Sequence, residues 1–352
     1  MPKTCVLFNG KSGSARHGEA VRQLLRDDPS VTCHTVDETT ERAALRRWLW
    51  DEHFKRVIVA GGDGSVHRMV NWLQGLHLTF GVLPLGTGND LSRSLAMPLN
   101  PLAAVAALKT AHRRKIDLIE VGGDFQGVLV NAATGGFSGR VAEETSGEKK
   151  GAYGPLAYLL SVTGPMMARE SYRFTLRFDD GPAEILDLLN VVIANGRTAA
   201  GGVLTAPTAS LEDGLLDVVL IRNAEFLDMS VLVARLMAGD YLTDENVFHR
   251  RCRRIDVTAD APIPFSMDGD HVTGSRFTFR VRRHALRVLV GPDYHYPARQ
   301  VRWAQHVGRT VFAGVAGLLH VCRRIPRLFR GRGPVPDMAN AAAEPAGMTN
   351  DQ

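Results

Sequence analysis

Two glycine-rich stretches, each carrying a carboxylate, hold the residues best suited to chemistry. Val59-Ala60-Gly61-Gly62-Asp63-Gly64-Ser65 reads as the end of a buried strand, a tight turn and the start of a helix. Pro84-Leu85-Gly86-Thr87-Gly88-Asn89-Asp90 follows a second strand-like run, Phe80 to Leu83. Phosphates need donors that fit closely around them. Successive backbone N–H groups in a glycine turn supply these, and the following helix N-terminus adds a favourable field. Gly61, Gly62, Gly64 and Ser65 therefore suit a triphosphate, as do Gly86, Thr87 and Gly88. Asp63 can hold Mg²⁺, directly or through water, or accept a proton from an attacking hydroxyl. Asp90 can help hold the metal, and Asn89 can bond nucleotide or phosphate. A single turn of this kind often does no more than link a strand to a helix. Two in tandem are far more specific.

The elements around them fix where these turns lie. Strands are expected at 4–8, 31–36, 56–60 and 79–84, and helices at about 15–27, 39–50, 64–74 and 100–110. This alternation predicts a doubly wound, Rossmann-like α/β domain with a parallel sheet, over residues 1–122. Ligands in such sheets bind beyond the carboxyl ends of the strands. Both glycine turns fall there, as does Asn9-Gly10-Lys11-Ser12-Gly13 after the first strand. Asn9 and Gly13 fit the phosphate or base side of a nucleotide. No G-x-x-x-x-G-K-[ST] loop, dinucleotide G-x-G-x-x-G fingerprint or G-x-S-x-G elbow is present. The twelve histidines show no metal-ligand spacing, so each reads as a surface or core residue.

Beyond Arg114 the pattern changes to short β-rich runs separated by turn residues, such as Asp179-Asp180-Gly181-Pro182. The runs are 116–121, 128–132, 172–178, 185–194, 215–221, 254–258, 277–281 and 286–290. They predict a β-rich sandwich domain over 123–292, interrupted by helices at about 155–168 and 226–238. Residues 299–330 read as helical and basic, with Arg323, Arg324, Arg327, Arg330 and Arg332 close together, and 331–352 as a disordered tail. The helices of 293–330 are expected to pack back on the first domain or on a membrane. Four scattered cysteines without a C-x-x-C pair predict reduced thiols in a cytoplasmic protein. A helix over 310–322 would be about 20 Å long at about 1.5 Å per residue, short of the roughly 30 Å hydrocarbon core.

Taken in order, these segments resemble the diacylglycerol kinase catalytic-domain family, in its soluble bacterial lipid-kinase branch. Gly61 to Ser65 matches its G-G-D-G-[ST] loop, and Pro84 to Asp90 its P-x-G-T-x-N-D turn. Lys115-Ile116-Asp117-Leu118, Asn131 to Phe137, and Asp213 to Asp217 match further family segments. Met267-Asp268-Gly269-Asp270 falls where the family has D-G-E. The resemblance implies an ATP- and Mg²⁺-dependent kinase that phosphorylates a lipid hydroxyl, with ATP bound by the first domain and lipid by the second. It implies a metal network of Asp63, Asp90 and Asp117, and a structural Mg²⁺ on Asp213 with backbone carbonyls such as those of Ser210 and Leu215. The acid of the D-G-E turn, here Asp270, would be the general base, with Asp63 the alternative. Asp270 is one methylene shorter than Glu, a difference of about 1.3–1.5 Å to which catalytic geometry is sensitive. Asp268-Gly269 is also a strong hairpin-turn signal, and Asp268 would take metal or stay structural. In the Asn9 loop Gly10 stands where the family has proline.

A kinase of membrane lipids needs an apolar channel and a surface for headgroups. Leu156 to Met167 is apolar enough to line such a channel or to form a core helix. The C-terminal segment, with Trp303, Val307, Val311, Val315, Leu318, Leu319 and Ile325 between arginines, fits an interfacial amphipathic helix on anionic phospholipid. The expected location is cytoplasmic, peripheral at the inner membrane surface, with a homodimer possible and nucleic acid not a partner. Two other readings remain at this stage: a non-catalytic lipid- or nucleotide-binding regulator of the same fold, and an enzyme like NAD kinase or phosphofructokinase.

Overall fold

Arg56-Val57-Ile58-Val59-Ala60-Gly61 sets the pattern of the first half. Its interior is apolar at every position and buried throughout, so the strand must be covered on both faces. The structure, a computed structural model, describes residues 3–10, 15–26, 28–144 and 171–295. β1 (Thr4–Asn9), β2 (Val31–Val36), β3 (Arg56–Gly61) and β4 (Thr79–Pro84) run parallel in the order β2-β1-β3-β4. The connecting helices are α1 (Ala15–Arg26), α2 (Arg42–Asp51), α3 (Asp63–Leu73), α4 (Asp90–Ser94) and α5 (Pro101–Thr110). The chain winds one way from β1 to β2 and the other way from β3 to β4. The switch point is therefore the crevice between the ends of β1 and β3, where such sheets bind ligands.

Local chemistry explains the boundaries. Asn100 accepts the N–H groups of Leu102 and Ala103, and Pro101 occupies the first helical position of α5, where its missing N–H is not needed. The short α4 had no strong periodic signal in the sequence. It forms because Asn89 enters the left-handed region (φ +52°) and turns the chain directly into Asp90.

The second half consists of β5 (His112–Gly123), β6 (Gly127–Leu129), β7 (Ala132–Gly136), α6 (Phe137–Glu144), β8 (Tyr172–Phe178), β9 (Ala183–Leu188), β10 (Asn190–Ala194), β11 (Leu216–Ile221), α7 (Phe226–Ala238), β12 (Val247–Cys252), β13 (Arg254–Met267) and β14 (Asp270–Val290). Side chains alternate between faces along these strands. Val191, Ile193, Leu216, Val218 and Leu220 enter a core with Phe174, Phe265, Phe277 and Phe279. Val192, Ala194, Val219 and Ile221 face the other way, onto a core with Leu232, Val233 and Leu236 of α7. Burial on both sides makes β10 apolar from Val191 to Ala194 and β11 apolar from Val218 to Ile221.

The single run expected at 185–194 is two strands. β9 pairs with β8, whereas β10 pairs with β7 and β11. The separate runs expected at 277–281 and 286–290 are one long strand with a shift of register between Arg282 and Leu286. There His284 takes a positive φ of +50°. β14 pairs with β13 and β5 and then, at Arg287 and Val288, runs parallel to β4. All fourteen strands among the described residues thus join one sheet. The segments expected as a helix at 155–168, a basic helix at 299–330 and a disordered tail at 331–352 lie outside the described residues, as do Leu156 to Met167 and Gly13. No helix among the described residues is long and apolar enough to cross a membrane.

Candidate active site

The two glycine turns meet backbone to backbone. A Cβ added to Gly86 would lie 2.4 Å from the Cα of Gly62, and one on Gly62 would lie 3.1 Å from the Cα of Gly86. No side chain fits between them. Leu85 N–H donates to the Gly61 carbonyl at 3.1 Å, and Asn89 closes its own turn, accepting from Gly86 N and donating to Gly86 O. On the other side, Asn9 Nδ2 donates to Ser65 Oγ at 2.7 Å, tying the end of β1 to the first turn of α3. Asn9, Gly61, Gly62, Gly64, Ser65, Gly86, Thr87, Gly88 and Asn89 are therefore brought to one edge of the parallel sheet.

Asp63 and Asp90 face each other across Gly88. A Cβ at Gly88 would stand 2.9 Å from Asp63 Oδ2 and 3.4 Å from Asp90 Oδ2, so both oxygens converge on that glycine. Asp63 Oδ1 accepts the N–H of Leu91 at 3.1 Å. Burial, and after it the charge of Asp90, push the Asp63 carboxyl up to about 6. Two such oxygens could serve as ligands of one divalent cation, whose charge would relieve the repulsion between them. Asp90 has a second task. Its carboxylate accepts from Gly201 N at 2.9 Å and Gly202 N at 2.7 Å, and so anchors a loop of the second half beside the nucleotide turns.

Asp117 does not join this pair, contrary to the expected trio. It is fully buried, and its two oxygens accept from Gly214 N at 2.7 Å and His284 N at 2.6 Å. The reason is the register shift in β14, which turns the His284 amide toward it. Among the described residues no three acidic, histidine or cysteine side chains gather as a metal centre. Asp213 lies near Asp117 and Asp217, and burial raises its carboxyl while Arg251 opposes the rise. Arg251 pairs with Asp213 and approaches Asp217 at 3.6 Å, so a guanidinium already answers the charge where a second Mg²⁺ was expected. Asp213 Oδ1 accepts from Leu215 N at 3.0 Å, and Ser210 Oγ accepts from Glu212 N at 3.4 Å.

Asp268 and Gly269 form a two-residue hairpin loop between β13 and β14, with φ of +49° and +94°. The turn is more than a link. The buried Asp268 carboxylate accepts the N–H groups of Val130, Asn131 and Ala132 at 2.5, 3.0 and 2.8 Å. That use of both oxygens makes Asp268 structural. Asp270, next along, is exposed at the rim of a cleft of about 660 Å³ shared with Asn9, Ser65, His67, Arg68 and Phe125. Its Oδ1 lies near Gly64, 3.8 Å from where a Cβ would be, so it stands beside the first glycine turn. Sequence reasoning missed His67, which sits between Asp268 and Asp270 at 3.4 Å from each. Its position four residues after Asp63, on the same helix face one turn on, is the local signal that could have marked it.

Two family models match this chain: the diacylglycerol kinase catalytic domain over residues 3–121, and the YegS C-terminal NAD kinase beta sandwich-like domain over 130–290. A probable lipid kinase YegS-like protein of Yersinia pestis (strain Pestoides F) is 30% identical over 301 residues, covering 83% of this chain and 98% of that protein. The counterpart in Yersinia pseudotuberculosis serotype O:1b (strain IP 31758) matches to the same extent. The fold is shared with a crystal structure of a diacylglycerol kinase from Bacillus anthracis str. Sterne, at a TM-score of 0.63 and 18% identity over 83% of this chain and 97% of that one. A second crystal structure from that organism gives a TM-score of 0.69 at 20% identity, over 84% and 98%.

Proposed function

This chain belongs to the diacylglycerol kinase catalytic-domain family, phosphotransferases with an alcohol group as acceptor, and on that premise we propose that it passes the γ-phosphoryl group of ATP to the hydroxyl of a membrane lipid. The observation that carries this reading is the pairing of the two glycine turns, with Asp63 and Asp90 facing one point at Gly88 and Asp270 across the first turn at a cleft. The glycine backbones and the N-terminus of α3 would receive the phosphates. Asp63 and Asp90 would hold Mg²⁺, which supplies neutralisation of phosphate charge.

The remaining work belongs to the protein's own groups. Phosphoryl transfer depends on alignment more than on covalent help. The lipid oxygen forms its bond to the γ-phosphorus as the bond to the β,γ-bridging oxygen breaks, releasing ADP. The hydroxyl proton passes to Asp270, which is exposed and can reach an incoming headgroup. Asp63 is the weaker candidate for this role because its Oδ1 is committed to Leu91 N–H and its Oδ2 would be taken up by the metal it shares with Asp90. Contact with anionic bilayers through the basic stretch 299–330 belongs to the same proposal and rests on its composition.

Labelled ATP offered with mixed-lipid vesicles tests the reading. The intact protein is expected to label a lipid only with Mg²⁺ present, and Asp63→Asn to abolish labelling. Asp270→Ala is expected to lose about 10²–10⁴-fold in kcat, the usual contribution of a general base, and a loss under about tenfold would rule that role out. Absence of a labelled lipid across diacylglycerol, phosphatidylglycerol, sphingoid base and ceramide would sink the kinase assignment in favour of a binding role.

A further inference from the structure

We propose that His67 is a positioning residue for Asp270: anchored through Nδ1 on the buried carboxylate of Asp268, its imidazole holds Asp270 Oδ2 with Nε2 and leaves Oδ1 to face the acceptor. The inference rests on the reading of Asp270 as general base. The distances are 3.4 Å from Nδ1 to Asp268 Oδ2 and 3.4 Å from Nε2 to Asp270 Oδ2. The three side chains form a gradient of exposure, 3% for Asp268, 5% for His67 and 54% for Asp270. A rigid interior acid thus reaches a solvent-facing one through a single ring.

The neighbours restrict the ring to this use. Asn71 Nδ2 lies 3.4 Å from Nε2, but its two hydrogens are already directed at the carbonyls of His67 and Val128, at 3.0 and 2.8 Å. Its Oδ1 accepts from Val128 N at 2.9 Å, which fixes the amide orientation. Nε2 keeps Asp270 Oδ2 as its ion-pair partner at 3.4 Å, with Asn71 Nδ2 beside it. Burial opposes a charge on the ring, but the two carboxylates outweigh it and hold the imidazolium more firmly than usual. Arg68 of the same helix, and Arg42 from α2, are the other charged groups lining the cleft, and Asp63 begins the helix.

The chemical purpose follows from length. An aspartate base is shorter than a glutamate by one methylene, and it stands at the end of a hairpin, where a free carboxylate would rotate. Fixing one oxygen on an imidazolium selects the rotamer in which the other lies by Gly64, next to the phosphate turn.

The test uses the full-length protein, labelled ATP and vesicles of a lipid that the wild type phosphorylates. His67→Ala is expected to lower kcat by roughly ten- to a hundredfold, since a misplacement of about 1 Å can cost as much as about a hundredfold, with KM for ATP within about twofold. His67→Gln, which retains an N–H near the Nε2 position, should recover part of kcat. An unchanged kcat in His67→Ala, with Asp270→Ala inactive, overturns the proposal alone. Activity in Asp270→Ala within tenfold of wild type overturns the base reading and this inference with it. Should His67→Ala fail to fold, imidazole nitrogen NMR decides: the His67 Nε2 resonance, assigned by its loss in His67→Gln, must shift in Asp270→Asn. No shift overturns the proposal.

Discussion

At the residue scale, Asp63 destabilises the ligand-free fold for the same reason that it suits a cation. Its carboxyl rises from an ordinary 3.8 to about 6 because it is withdrawn from water beside Asp90. The folded protein therefore binds this proton more tightly than the unfolded chain. That contribution is present below about pH 4, declines as pH rises to about 6, and is absent above it. Asp63→Asn is expected to stabilise the metal-free protein at pH 8 by about 1–2 kcal/mol while abolishing activity, the gain vanishing near pH 4. Urea unfolding at the two pH values checks this, and equal differences at both would refute it. Asp268 predicts the opposite. Asp268→Ala leaves the N–H groups of Val130, Asn131 and Ala132 without their acceptor. At about 1–3 kcal/mol for each buried unpaired group, a loss of about 3–5 kcal/mol is expected after relaxation, read from the denaturation midpoint. A loss under about 1 kcal/mol would mean that water or a neighbour replaces the carboxylate.

At the element scale, the nucleotide edge depends on two turns packed without side chains. Gly86→Ala drives a methyl into the Gly62 backbone, where nothing flexible can yield. It is expected to weaken ATP binding at least about tenfold and to destabilise the fold by about 1–3 kcal/mol, the usual range for overpacking. Gly122→Ala, on β5 with nothing within 4 Å of its added Cβ, is the matched control and should change neither. Isothermal titration and thermal melting of both variants make the comparison; equal behaviour would show that the turns separate easily. These turns were legible in the sequence because each is a local strand–turn–helix signal. The shift of register in β14 was not. It arises where one strand changes partners from the sandwich to β4, and no residue near Arg282 announces that change.

At the scale of the whole molecule, β14 makes the halves interdependent. Its Asp270 end borders the cleft, its middle gives the His284 amide to Asp117, and its last residues pair with β4. A fragment ending at Gly123 lacks that partner for β4 and β5. It is expected to be less helical and to melt less cooperatively than the intact chain by circular dichroism, whereas a native-like melt would show the first half to be autonomous. The sequence by itself determined the alternating elements, the two glycine turns and the acids within them, because strand periodicity, turn chemistry and helix starts act over a few neighbouring residues. Only the tertiary structure decided that Asp63 meets Asp90 but not Asp117, that Arg251 answers Asp213, and that His67 lies between Asp268 and Asp270. Those pairings join residues up to about two hundred positions apart, and their geometry is set by sheet register and backbone direction, which no local pattern encodes.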